Sequence, residues 1–134
     1  MPMLEEVALE LKLPRPLVNQ LLHIAQTAPA GTSWGIIGAR DTMPTHCYPL
    51  ELLDVTAIAA VQRKLESRNE IIFAWYRVDS SGIKAPAVSE LEVAGVSAPL
   101  LLGISLGTKG VLQLRGWRIE GQQLAELGIR ISET

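Results

Sequence analysis

Two histidines and one cysteine, His23, His46 and Cys47, are the only imidazole and thiol groups this sequence offers for metal binding or acid–base work. His46 and Cys47 are neighbours in a segment that reads as a strand. Their side chains therefore point to opposite faces and cannot share a metal. His23 falls on the outer or boundary face of a helix and reads as a partly exposed helix residue. A lone cysteine excludes an internal disulfide and any cysteine-cluster zinc site. Gly107-Thr-Lys-Gly110 is too short and wrongly placed for a phosphate loop, so it reads as a turn. Trp34, Trp75 and Trp117 all fall in strand-like segments. Their simplest place is the core or a sheet face, and one lining a pocket would instead cradle a ligand.

The elements that must position any site come from a chain of 134 residues, the size of one domain, with 48% hydrophobic and 19% charged residues. That balance argues against disorder. Aromatics are only 4%, so the core is expected to be aliphatic. A formal charge of −2 and a pI near 5.7 provide no basic field for a phosphate backbone, so no nucleic-acid partner is expected. The first ten residues carry Glu5, Glu6 and Glu10 with no basic region, unlike a signal peptide. The uncharged run between Glu92 and Lys109 is too short to span a bilayer and is broken by glycines and Pro99. With the single thiol, this makes a cytoplasmic protein with no membrane partner the expectation.

No repeat or linker divides the sequence, so residues 1–134 read as one domain. Val7, Leu9, Leu11 and Leu13 alternate with polar or small residues as in a half-buried strand. Pro14 and Pro16 open a helix whose apolar stripe, Leu17, Leu21, Ile24, Ala25 and Ala28, ends at Pro29 and Gly31. Ser33 to Arg40 and His46 to Leu50 read as strands around a turn at Asp41–Pro44. Asp54 is placed to cap a helix with Ala57, Val61 and Leu65 inward, and Arg63, Lys64 and Arg68 form a solvated face near its C-terminus. Ile71 to Tyr76 reads as a central strand, followed by a polar loop from Arg77 to Pro86 and a short helix around Val88–Ala94. Leu100–Leu106 and Val111–Ile119 form a hairpin, and Gln123 to Ile131 a last strand. The expected class is α/β: a mixed β-sheet flanked by helices in the order β-α-β-β-α-β-α-β-β-β.

Several strings in this order are similar to the JAMM family of MPN-domain (JAB-type) metalloproteases, prokaryotic members in particular. Leu13-Pro-Arg15 with the following helix matches the usual opening. Gly35-Ile-Ile-Gly38 resembles the strand that follows the family's glutamate. Ala74-Trp-Tyr76 resembles the lead into its His-x-His-Pro motif. Leu100–Leu106 and Leu114–Ile119 resemble its two terminal core strands. The resemblance implies the three-layer, cytidine-deaminase-like fold. In active members the motif His-x-His-x7-Ser-x2-Asp with a remote Glu holds zinc and its activated water.

Laid on this chain, the motif keeps its spacing and loses its chemistry. The histidine positions are Arg77 and Asp79, the serine position Ala87 and the aspartate position Glu90. The glutamate position is Thr32, or Gly31 if the register slips by one. Asp79 and Glu90 could hold a weak oxygen-ligated cation, but Arg77 favours an ion pair instead. The expectation is that Arg77 pairs with Glu90 in place of the metal, with Asp79 the more solvated partner. The resemblance therefore implies a degenerate site with no catalytic residues, no metal and no cofactor, in a scaffold or dimerisation domain. Its protein partner would be another MPN-like domain, a second copy, or a ubiquitin-like carrier. An alternative is a module that binds the extended C-terminal tail of a ubiquitin-like or sulfur-carrier protein uncut. The remaining alternative is a metal-dependent peptidase or isopeptidase with other ligands.

Overall fold

The computed structural model describes residues 10–51, 54–83, 100–107, 109–120 and 123–133. Their order is β1 (Glu10–Pro14), α1 (Arg15–Thr27), β2 (Thr32–Arg40), β3 (Met43–Leu50), α2 (Val55–Ser67), β4 (Ile71–Asp79), β5 (Leu100–Leu106), β6 (Leu112–Glu120) and β7 (Gln123–Ser132). The strands form one curled sheet in the order β1-β7-β6-β5-β4-β2-β3. β1 lies parallel to β7 and β4 parallel to β5, while the other neighbours are antiparallel, so the sheet is mixed. The expected helix around Val88–Ala94 lies outside the described residues.

Side-chain alternation divides the core between the two faces of this sheet. On one face α1 buries Leu17, Val18 and Leu21 against Ile37, Tyr76, Val78 and Ile104. On the other, α2 buries Ile58, Val61 and Leu65 against Ile36, Tyr48, Trp75 and Trp117. Each helix starts where its local chemistry allows. Pro14 precedes α1 in an extended conformation and Pro16 sits in the first turn, where a missing N–H is harmless. Asp54 caps α2, its carboxylate accepting from Ala57 N–H at 2.8 Å.

Three boundaries depart from the sequence reading. The turn at Asp41–Pro44 shortens to Asp41 and Thr42, both left-handed at φ 51° and 66°, the twist a two-residue hairpin requires. β3 consequently begins at Met43, and a bulge between Gly38 and Ala39 absorbs one extra β3 residue. β4 runs on through Asp79 where a polar loop from Arg77 was expected. Arg77 and Asp79 are only 6% and 7% exposed. They compensate each other's charge, and that lets a charged pair continue a buried strand. β4 is the expected interior strand, between β5 and β2. Close approach is built in beside it, because a Cβ on Gly35 would lie 2.0 Å from Tyr76 Cζ. The phenol ring thus lies directly on the glycine backbone.

Candidate functional site

Alternation along β4 sends Trp75, Arg77 and Asp79 to the α2 side of the sheet, while register sets Trp34 beside Arg77 and Thr32 beside Asp79. The Asp79 carboxylate is held on both oxygens. Arg77 Nε donates to Oδ2 at 2.9 Å and Thr32 Oγ1 donates to Oδ1 at 3.0 Å. The Arg77 guanidinium lies 5.7 Å from the Trp34 ring centroid, a cation–π distance. Beyond the pair, Ser80 N–H donates to Gly31 O at 3.0 Å and Gly31 N–H donates to Ser80 Oγ at 2.7 Å. These two bonds tie the start of β2 to the end of β4.

The structure therefore brings together Thr32, Arg77 and Asp79, three of the five positions singled out in the sequence. Ala87 and Glu90 lie outside the described residues, and so does the expected Arg77–Glu90 pair. Asp79 is buried and pairs directly with Arg77, while its solvation relative to Glu90 lies outside the described residues. These donors do not fit a zinc ion. Arginine offers no lone pair, and both Asp79 oxygens are engaged by Arg77 and Thr32. Among the described residues no group of three His, Cys, Asp or Glu side chains is placed to hold a metal. Ser105 enters the same region unannounced. It follows Ile104, which is paired with Val78, so it stands near Asp79 on the same face. It is 1% exposed, and its hydroxyl has no hydrogen-bond partner among the described residues.

A second polar cluster, missed in the sequence, sits at the other end of β4, about 30 Å away along the strand. Glu70 is 4% exposed, and its carboxylate accepts from Thr45 Oγ1, from the Tyr48 hydroxyl and from His46 Nδ1, the last at 2.7 Å. A carboxylate can only accept, so His46 carries its proton on Nδ1. Burial alone would raise the Glu70 pKa, but the three donors outweigh it and hold the carboxyl at about 2. The signal was present: His46 and Tyr48 share a face two residues apart, and one acidic residue directly precedes the apolar run Ile71–Tyr76. His46 turns to this cluster and Cys47 to the α1 side, as their adjacency required. Burial pushes the Cys47 thiol up to about 12, so it is no nucleophile near neutrality. His23 is exposed and lines a shallow hollow between α1 and β3.

No known family's sequence profile matches the chain, and no curated protein does either. Solved structures do resemble it. A protein of Desulfitobacterium hafniense superposes with a TM-score of 0.74 at 17% identity, covering 92% of this chain and 93% of that one. A protein of Salinibacter ruber gives 0.59 at 14% identity, covering 90% of each. A JAB1/MPN domain protein from Archaeoglobus fulgidus gives 0.57 at 12% identity, covering 89% of this chain and 98% of that one. None of the helices among the described residues is long and apolar enough to cross a membrane. At such identities the likeness speaks to architecture alone, and that architecture is an MPN-like α/β fold.

Proposed function

We propose that the chain is a non-hydrolytic MPN-type domain that acts through protein contacts, as a scaffold or pairing unit in the cytoplasm. One observation carries the reading. Where the resemblance to active metalloproteases implies two histidine ligands, a buried Arg77–Asp79 pair stands, locked to Thr32 across the strand. A guanidinium in place of zinc supplies positive charge without Lewis acidity and cannot activate water. Two measurements test this. Chelator-washed protein is expected to hold no stoichiometric zinc, and recovery of about one tightly bound zinc per chain would overturn the reading. Conversely, the triple substitution Arg77→His, Asp79→His, Glu90→Asp is expected to create zinc binding. A folded triple variant that ignores zinc would show that these are not the former ligand positions.

A second reading, a groove that holds an extended carrier tail uncut, has a local feature in its favour. A cleft of about 310 Å³ opens between the end of α1 and the start of β2, with Trp34, Leu50 and Tyr76 in its walls. Titration with a ubiquitin-like carrier bearing a free Gly-Gly tail should shift the Trp34 indole resonance. A carrier lacking the tail is the control, and equal responses to both would remove this reading. Peptidase activity with other ligands has the least support.

A further inference from the structure

We propose that the outer edge of β3 is a latent self-pairing surface of this chain, held shut by the side-chain amide of Gln20. β3 ends the sheet among the described residues. Alternate residues of a strand aim their N–H and C=O groups to opposite sides, so part of the β3 backbone faces away from β2. Gln20, half-buried on α1, reaches these groups: its Nε2 donates to Thr45 O at 2.9 Å, and its Oε1 accepts from Cys47 N–H at 3.0 Å. Donating to residue 45 while accepting from residue 47 is the pattern of one peptide residue in a parallel strand placed opposite His46. The carboxamide therefore stands in for an added strand, and an edge so occupied is closed to pairing.

The edge itself indicates what would pair with it. Pro44 and Pro49 lack N–H groups and bracket a window of four residues, Thr45-His46-Cys47-Tyr48, with no carboxylate or permanent cation in it. Beyond this window each proline offers a carbonyl but no N–H, so a longer strand from another protein gains little more. A second copy matches it in length. Antiparallel pairing about a two-fold axis at His46 sets each Thr45 opposite the partner's Cys47, an isologous arrangement that repeats the same hydrogen bonds twice. The surface is thus self-complementary once the amide is withdrawn. Gln20 keeps the edge from joining two copies by taking up Thr45 O and Cys47 N–H itself.

The test uses the full chain with Gln20→Ala and Gln20→Met, the second of which fills similar space with neither hydrogen bond. Dilute variants should exchange the Cys47 amide hydrogen about tenfold faster than the parent, the loss expected for one hydrogen bond. As concentration rises in sedimentation velocity, both variants should form dimers that the parent does not form, and Cys47 protection should return in the dimer. Folding is checked by circular dichroism, and the Met variant guards against a packing defect in the Ala variant. Faster exchange without association overturns the self-pairing surface. Association with Cys47 exchange unchanged throughout puts the contact elsewhere and overturns it equally. Folded variants that match the parent in both readouts overturn the latch and the surface together.

Discussion

Replacing Glu70 with glutamine removes one charge from a buried carboxylate on which Thr45, His46 and Tyr48 all converge. A carboxyl that ionises at about 2 in the fold, against an ordinary 4.5, favours the folded state by on the order of 3 kcal/mol when ionised. The contacts give a consistent figure. Three donors meet the carboxylate, and hydrogen bonds to a charged group contribute roughly 1.5–3 kcal/mol each before burial is subtracted. The amide of Glu70→Gln also turns an N–H toward groups that themselves donate, so at least one buried donor loses its acceptor. We expect Glu70→Gln to lower unfolding free energy by about 3 kcal/mol near pH 6. The sign with pH follows from the depressed pKa. The stabilisation is whole above 4.5 and is lost as pH falls from there toward 2, because the unfolded chain takes up the proton first. Urea titrations of parent and variant from pH 2.5 to 7 measure this. The exposed carboxylates Glu126 and Glu133, also held low by arginine partners, titrate alike in both proteins and cancel in the difference. A parent–variant gap below about 1 kcal/mol at pH 6, or one that does not shrink toward pH 2.5, would refute the reasoning.

Three further outcomes follow from contacts already described. Arg77→Ala leaves Asp79 buried with only Thr32 as a described partner and should cost about 3 kcal/mol or more; Arg77→Leu with Asp79→Leu should cost less than the single change, and urea midpoints of both decide it. Gly35→Ala drives a methyl to within 2.0 Å of Tyr76 and should destabilise by roughly 1–3 kcal/mol, with Tyr76→Leu in the same chain recovering part of the loss. Ser105→Ala removes a buried hydroxyl with no partner among the described residues and should leave stability unchanged or slightly raised. A loss above about 1 kcal/mol would reveal a bond that the hydroxyl makes.

Most strands were legible because their physics is local. Alternation exposed β1, the aliphatic run marked β4 and β5, prolines and Asp54 marked where helices start, and a glycine-bounded turn located the β5–β6 hairpin. What escaped was set by partners distant in sequence. Arg77 and Asp79 look like the first residues of a loop until Thr32, 47 positions away, closes the carboxylate's second oxygen. Glu70 reads as a helix-end acid until Thr45, His46 and Tyr48 are folded over it. Gln20 is an ordinary polar residue on a helix, and only the β3 edge beside it gives its amide a role. The candidate site was found by aligned spacing to active enzymes, and the structure then joined Thr32, Arg77 and Asp79 on one face.

The parallel pairing of β1 with β7 sets a timetable for biosynthesis. Glu10 to Pro14 hydrogen-bond to Gly128 to Ser132, with ion pairs Arg15–Glu133 and Arg130–Glu10 spanning almost the whole sequence. A ribosome releases the N-terminal end first, at roughly 5–20 residues per second, so the opening strand waits several seconds for its neighbour to be made. During that interval Leu11 and Leu13, both buried in the finished protein, have no strand to lie against. Pairing across so long a stretch of chain raises contact order and slows assembly even after release. The alternating charges Glu10 and Lys12 keep that waiting strand from being a purely apolar edge until β7 is made.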